Sequence, residues 1–141
     1  MWRIALPTAL VLIATACLGT DFADSLEASW QMTSGTVKGE AIPILDSHPI
    51  TITFEGDQVS GTASCNGYGG SYELEGSGVT FSDLIMTEMA CSPQETMEAE
   101  GKFAEAITRV DTVSLDEHLT LSGEGVEMVF EVLEPESSPD S

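Results

Sequence analysis

The chain has 141 residues, enough for one domain, and carries 24 acidic residues against four basic ones, a formal net charge of −20. Nucleic acid and anionic membrane surfaces are bound through cationic patches, so this composition excludes a nucleic-acid-binding role. The acidic residues are spread along the sequence, which favours a solvated surface suited to a salty environment. A docking face for a basic protein and loose binding of divalent cations remain open alternatives.

Residues 1–16 have the pattern of a signal peptide. Arg3 supplies the positive charge, residues 4–16 form the apolar run, and residues 14–16 (Ala-Thr-Ala) are the small residues before a cleavage point. The run is shorter than the ~20 residues that a membrane-spanning helix needs. The sequence therefore predicts an exported protein.

Cys17 lies directly after this cleavage point. An ordinary signal peptidase would release a freely secreted domain, whereas a lipoprotein signal peptidase would leave Cys17 lipidated at the new N-terminus. Lipoprotein sites prefer leucine where this chain has Ala14, but a cysteine here would otherwise be an unpaired thiol in an oxidising space, which favours lipidation. Residues 17–25 are thus predicted to be a lipid anchor and polar tether, attached to a membrane of the cell envelope on its periplasmic or cell-surface side.

Short strands with alternating apolar residues are predicted up to residue 88. In one of them, Ile50, Ile52 and Phe54 share a face, and threonines occupy the other. Gly61, within the next strand, indicates a bulge or the close approach of another element. The predicted strands are residues 29–33, 50–54, 58–64, 70–74 and 79–81.

One helix is predicted after the last cysteine. Ser92 can cap it, Pro93 suits the first helical position, and Glu95 completes a capping box. The helix should end near Arg109, whose charge complements the helix dipole. Gly101 lowers the helix propensity by ~1 kcal/mol relative to alanine, which indicates close packing there. The predicted apolar face comprises Ala99, Phe103, Ala106, Ile107 and Val110.

Three further strands are predicted at residues 112–115, 119–122 and 126–132. In the last of these, alternation predicts that four apolar residues point inward: Val126, Met128, Phe130 and Val132.

The domain is predicted to span residues 26–133, and the tail at 134–141 has the composition of a disordered acidic end. Strands and helices do not alternate along the chain. The predicted fold class is therefore α+β: a β-rich antiparallel sheet, curled or barrel-like, with one packed α-helix inserted before the last three strands.

Cys65 and Cys91 are the two cysteines of the domain body. In an exported protein they predict one internal disulfide, worth ~3–4 kcal/mol in the loop-entropy account. A catalytic redox pair would favour C-x-x-C spacing, and a metal site needs more ligands than two cysteines. We therefore expect neither a metal nor another cofactor.

Asn66 and Tyr68 lie in the glycine-rich segment after the first body cysteine. They are candidate partner contacts, Tyr68 as an exposed aromatic residue on a loop. The alternatives are that Asn66 serves the local turn and that Tyr68 packs over the disulfide, which the sequence favours.

The sequence gives no arrangement typical of an enzyme. His48 and His118 are predicted in surface loops, without a nucleophile setting such as G-x-S-x-G. Glu73 and Glu75 could form a carboxylate pair, but strand alternation favours a solvated outer face. We expect a protein without enzymatic activity.

Several of these residues together resemble the META domain, the family of the HslJ heat-shock lipoprotein. The two most specific elements, taken together, are a Gly-x-x-x-Cys-Asn run, which starts at Gly61, and a Thr-x-Met-Ala-Cys run. The resemblance covers nearly the whole mature chain, and the residues that carry it are 59–61 (Val-Ser-Gly), Cys65-Asn66, Gly70-x-Tyr72, Phe81, Thr87-x-Met89-Ala90-Cys91 and Glu100-x-x-Phe103.

The resemblance implies a compact β-rich domain with one packed helix that is exported, often lipid-anchored, and associated with stress response, motility or antibiotic tolerance. It implies no reaction. We expect a monomeric envelope lipoprotein that binds or protects, with a possible protein partner in the envelope. The alternative is an acidic inhibitor of a basic envelope-attacking enzyme such as a lysozyme.

Overall fold

A computed structural model of the protein describes residues 18–134. The predicted signal peptide at 1–16, the lipidation site Cys17, and most of the acidic tail lie outside the described residues. The elements in chain order are α1 (Leu18–Leu26), β1 (Ser29–Val37), β2 (Glu40–Ala41), β3 (Thr51–Glu55), β4 (Gln58–Ala63), β5 (Asn66–Glu75), β6 (Gly78–Met86), α2 (Gln94–Ile107), β7 (Val110–Leu115), β8 (Leu119–Gly123) and β9 (Val126–Val132).

All the strands belong to one nine-stranded antiparallel sheet in the order β2-β1-β3-β4-β5-β6-β7-β8-β9. The sheet closes because β1 also pairs with β9, from Trp30 opposite Val132 to Val37 opposite Val126. The result is a barrel in which the two-residue β2 is an appendage of β1. The predicted α+β class, with a barrel-like antiparallel sheet and one helix before the last three strands, is confirmed.

Tight turns join neighbouring strands. The β3–β4 and β5–β6 hairpins each have a two-residue loop, and glycines with positive φ, Gly56 and Gly76, occupy those loops. Glycine adopts this left-handed backbone without the steric cost of a Cβ atom. The closure of the barrel is uneven, since β6 pairs with β7 through a single residue pair, Gly78 and Thr112.

The barrel interior is filled by the inward residues of every long strand. Ile52, Phe54 and Phe130 are at most 1% exposed, as the alternation of their strands predicts. Helix α2 contacts β1 and β4 and places Phe103, 0% exposed, in the core. The predicted apolar face is confirmed within the helix at Ala99, Phe103, Ala106 and Ile107, whereas Val110 is buried but belongs to β7.

Helix α1 occupies the segment predicted to be a polar tether. Leu26 is completely buried, and its carbonyl accepts a hydrogen bond from Trp30 Nε1 at 3.1 Å. Glu27 Oε1 accepts another from the backbone N–H of Gly56 at 2.8 Å. The start of the predicted domain, directly after the tether, is therefore attached to the barrel through contacts that local periodicity does not show.

Three local predictions are wrong. Helix α2 begins at Gln94 without a side-chain cap, so Ser92 does not cap it, although the helix ends near Arg109 as predicted, with Thr108 as its C-cap. A Cβ atom built on Gly101 meets nothing within 4 Å, so close packing does not explain that glycine. Val132 is 49% exposed, because the strand is leaving the barrel at its last residue.

None of the helices in residues 18–134 is long and apolar enough to cross a membrane.

Candidate functional site

A disulfide between Cys65 and Cys91 joins the start of β5 to the segment that leads into α2, with the two Cα atoms 5.8 Å apart. This is the pairing that the sequence predicts. It brings together the residues on which the family resemblance rests, and we call the set Asn66, Thr87, Met89 and Glu100, with this disulfide, the signature cluster.

Asn66 is the centre of the signature cluster and is only 1% exposed. Its backbone N–H donates to Glu100 Oε1 at 2.7 Å, and its side-chain Nδ2 donates to Glu100 Oε2 at 3.0 Å. Nδ2 also donates to the carbonyl of Met89 at 3.1 Å. One asparagine thus ties β5 to both helix α2 and the segment that precedes it.

The side-chain oxygen of Asn66 is equally occupied. It accepts hydrogen bonds from the Met89 backbone N–H at 2.7 Å and from Thr87 Oγ1 at 2.9 Å. An asparagine side chain offers two donor hydrogens and two acceptor positions, and all four have partners here. No hydrogen-bonding capacity of this side chain is left for a ligand.

Glu100 is a buried carboxylate held by amides. It is 8% exposed, and both of its oxygens accept hydrogen bonds from Asn66. Hydrogen bonds to an ionised group are the stronger kind, and they compensate for part of the cost of burying the charge. The sequence showed Glu100 only as part of a family pattern, because its partner lies 34 positions away.

Tyr68 is also internal. Its side chain is 7% exposed, its ring lies 5.2 Å from that of Phe103 between centroids, and its hydroxyl donates to the carbonyl of Thr51 at 2.7 Å. Burial raises the pKa of Tyr68 well above its ordinary value. A Cβ atom on Gly61 would clash with Thr51 and the Tyr68 hydroxyl, which confirms the predicted close approach at that glycine.

The candidate partner contacts at Asn66 and Tyr68 therefore disagree with the structure, because both side chains are buried and hydrogen-bonded within the domain. The alternative prediction, that Tyr68 packs within the domain, agrees with the structure, in which its ring lies against Phe103 of helix α2. Local sequence cannot distinguish the two, since the glycines around Tyr68 are typical of both a loop and a strand.

An open groove lies on the outer surface of β3–β6, next to the signature cluster, whose Thr87 forms part of its lining. Its volume is about 1040 Å³, and glycines without side chains, including Gly67 and Gly69, form much of its floor. Threonine and serine hydroxyls line it, and Ile85, 77% exposed, stands at one side. Gln58 and Asp83 complete the polar part of the lining. These polar groups and the apolar surface can bind a ligand, although hydroxyls are weak proton donors and acceptors. We call this feature the glycine groove.

The predicted loop histidines lie apart from this groove. His48 Nδ1 is 3.0 Å from Ser47 Oγ, but the two residues are chain neighbours in an exposed loop. Glu73 and Glu75 are both exposed, in agreement with a solvated face. Within residues 18–134, no group of three or more His, Cys, Asp or Glu side chains is placed to hold a metal ion.

The basic side chains of the described residues all lie beside carboxylates. Lys38 and Arg109 both pair with Glu105, and Lys102 lies 3.3 Å from Glu98 and 3.9 Å from Glu40. The hydrogen bond from Lys38 is the main cause that lowers the pKa of Glu105. The few positive charges are therefore locally neutralised, and the remaining surface is acidic.

Comparison with known proteins agrees with this fold. A family model described as META domain matches residues 23–135. An NMR structure of a protein from Burkholderia xenovorans is 24% identical, with a TM-score of 0.67, and the alignment covers 94% of this chain and 100% of that one. A second NMR structure is 22% identical, with a TM-score of 0.60, and covers 78% and 93% of the two chains. At these identities the solved structures establish the fold alone. No curated protein matches the chain.

Proposed function

Because this chain belongs to the META domain family, we propose that it is an exported, HslJ-like lipoprotein of the cell envelope with a non-enzymatic role in binding or stress protection. Cys17 carries the lipid, and the domain is a monomer on the periplasmic or cell-surface side of its membrane. Heat shock, antibiotic tolerance and motility are the processes with which the family resemblance associates it.

The observation that supports this role most is that the side chains of the signature cluster bond to the domain itself. Asn66, Thr87 and Glu100 direct their polar atoms at one another and at the backbone, beside the disulfide. The residues most specific to the family therefore hold the domain in shape. A rigid framework beneath an open, hydroxyl-lined groove suits a protein that binds, because a preformed site loses less entropy on binding.

Intact mass spectra of the protein purified from its own host test the compartment and the anchor. We expect a diacylglyceryl or triacylglyceryl adduct on Cys17, and alkylation of Cys65 and Cys91 only after reduction. A Cys17→Ser variant is the control and should lack the adduct. An unmodified Cys17 would mean a freely secreted domain, and free thiols at Cys65 and Cys91 would contradict export.

The protective role is tested in a host that lacks the protein, by survival of heat and antibiotic exposure. Complementation with the wild type should restore survival. Filling the glycine groove with Gly67→Val and Gly69→Val should abolish it, whereas Gly101→Ala, on an open part of α2, should not. If the groove-filling variants restore survival as well as the wild type, protection does not depend on this surface. Specific hydrolytic or redox turnover by the purified domain would contradict the non-enzymatic role.

A second candidate function is inhibition of a basic envelope-attacking enzyme such as a lysozyme. The observation that favours it is the neutralisation of Lys38, Lys102 and Arg109 by neighbouring carboxylates, which leaves an acidic surface. Such a surface attracts a cationic enzyme, and the attraction weakens with salt. A panel of lysozymes assayed at low ionic strength decides this: salt-sensitive inhibition supports the candidate, and unchanged activity of every enzyme removes it.

A further inference from the structure

Strand β6 has one edge that the barrel does not cover. It pairs with β5 along its length, but with β7 only at Gly78 and Thr112, together with a hydrogen bond from Val113 N–H to the Ser77 carbonyl. The reason lies in the chain order: helix α2 ends just before β7 begins, so no strand of the described residues runs beside the second half of β6. The register of Gly78 with Thr112 places the start of β7 opposite residues 79 and 80, so we call residues 81–86 of this side the open edge.

The open edge presents backbone groups for pairing. The N–H of Tyr72 donates to the Asp57 carbonyl, so the backbone of Tyr72 faces β4. Its register partner on β6 is Phe81. In an antiparallel ladder such a pair points its hydrogen-bonding groups away from one another, so the N–H and C=O of Phe81 face the open side. An unpaired strand edge is a template for one more strand.

A cleft with apolar walls and an acidic depression border the open edge. A cleft of about 380 Å³ separates it from the end of α2, with Phe81 and Leu84 on one wall and Ile107 and Val110 on the other. A second depression of about 540 Å³ adjoins this cleft and is lined by three carboxylates: Glu73, Glu75 and Asp111.

These negative charges favour a positively charged partner over a second copy of this chain. A second copy of this chain would bring a formal charge of −20 to an edge already bordered by carboxylates, and the acidic tail at 134–141 would meet the same repulsion. Asp83, with a φ of 55°, interrupts the strand with a local irregularity, which further disfavours indiscriminate pairing. An extended segment with basic side chains is attracted by the same features.

We propose that the open edge of β6 binds an extended cationic peptide segment of a partner protein as an additional strand. Backbone hydrogen bonds hold the segment, apolar side chains enter the cleft beside Phe81, and basic side chains face Glu73, Glu75 and Asp111. This inference rests on the proposed binding role and names the class of partner and its site.

The test uses a fluorescein-labelled hexapeptide of alternating lysine and valine, with blocked ends, and the full domain with its disulfide intact. We expect salt-sensitive binding by fluorescence anisotropy, with amide shifts in a ¹⁵N spectrum concentrated in residues 81–86. N-methylation of the four central amides removes backbone donors from both edges of the peptide and should weaken binding at least about tenfold. A hexapeptide of alternating glutamate and valine should not bind.

Matched variants separate the site from the net charge. Glu73→Gln with Glu75→Gln should weaken binding of the lysine peptide roughly threefold to tenfold, as the loss of two surface charge contacts predicts. Glu127→Gln with Glu131→Gln removes the same charge from exposed positions of β9 and should leave the affinity nearly unchanged.

The inference would be overturned by equal binding of the N-methylated peptide, by amide shifts located away from β6, or by no binding at all. Concentration-dependent shifts at β6 without peptide would assign the edge to a second copy and also overturn it. A lipid adduct on Cys17 is measured separately, so the envelope role can stand when the peptide site fails.

Discussion

The buried amide of Asn66 faces the carboxylate of Glu100. Replacing the amide nitrogen by oxygen therefore tests the hydrogen bonds of the signature cluster through a change of one atom. Asn66→Asp would place a second acceptor against Glu100 and the Met89 carbonyl. We expect a loss of about 3 kcal/mol or more in the free energy of unfolding at pH 7, measured by urea denaturation.

Glu100→Gln in the Asn66→Asp background is the matched control, since its amide can donate to the new aspartate. It should recover part of the lost stability, although the Met89 carbonyl stays without its donor. A double-mutant cycle with zero coupling energy would contradict the direct contact between these two side chains.

Tyr68 gives a prediction about alkaline pH. Its native pKa is raised above the ordinary value near 10, so the folded state keeps the proton that the unfolded chain releases. The stabilising effect is complete below about pH 10, and above that pH it declines by about 1.4 kcal/mol per pH unit. Tyr68→Phe should remove this alkaline loss in urea denaturation at pH 8 and 11, at a cost of about 1 kcal/mol at pH 8 for the lost hydrogen bond to Thr51.

Tyr72→Phe serves as the comparison for Tyr68, because burial first, and then Glu27 and Asp57, also raise the pKa of Tyr72, but by a smaller amount. Its removal should change the alkaline loss less. An unchanged loss in Tyr68→Phe would mean that the phenol is accessible to solvent.

Thr96 carries an unsatisfied hydroxyl. Within residues 18–134, its Oγ1 is buried without a hydrogen-bond partner, and the side chain is 0% exposed. Thr96→Val keeps the shape and removes the polar atom, so it should raise the free energy of unfolding by about 1 kcal/mol. Thr87→Val is the same chemical change at a hydroxyl that does have a partner, Asn66 Oδ1, and should lower stability. A loss in both variants would imply an undetected partner for Thr96.

At the scale of elements, the disulfide joins β5 to the segment before α2. Replacing Cys65 and Cys91 by serine should cost about 3–4 kcal/mol, measured by urea denaturation against the oxidised wild type. Amide exchange should accelerate most at the start of β5 and in residues 87–93, because Asn66 and Met89 lose the constraint that keeps them aligned. Uniform acceleration over the whole barrel would mean that the bridge stabilises only through the unfolded chain.

The predictability of these elements follows from the range of their contacts. The alternation of apolar and polar residues identified the inward faces of β3 and β9, including Met128 and Phe130. It could do so because successive residues of a strand point to opposite faces. The burial of Leu26 at the end of α1 and the lack of a side-chain cap at Gln94 were not predictable, because tertiary contacts decide them.

The site was less predictable than the fold. Cys65 and Cys91 were paired correctly because the chain offers few cysteines. Glu100 and Tyr68 could not be placed, since their partners Asn66 and Thr51 lie many residues away. Local composition shows that a residue is polar or aromatic, but it does not show whether the fold turns it inward.

At the scale of the whole molecule, the excess of negative charge opposes the compact state through self-repulsion. Sodium chloride should therefore raise the free energy of unfolding steadily as the Debye length shortens from about 30 Å at 0.01 M to about 3 Å at 1 M. Calcium chloride at matched ionic strength should give the same increase for a merely solvated acidic surface. A larger effect that saturates at low calcium concentration would instead indicate specific binding of divalent cations.

The pairing of the first long strand with the last has a mechanical consequence. Ser29 and Leu133 are joined by a hydrogen bond, and β1 and β9 run antiparallel from that point. A force that pulls the two ends of the domain apart would load these hydrogen bonds one after another. It would not load them all together in shear. The barrel should therefore yield to stretching at low force, while a load carried by one end alone would leave it closed.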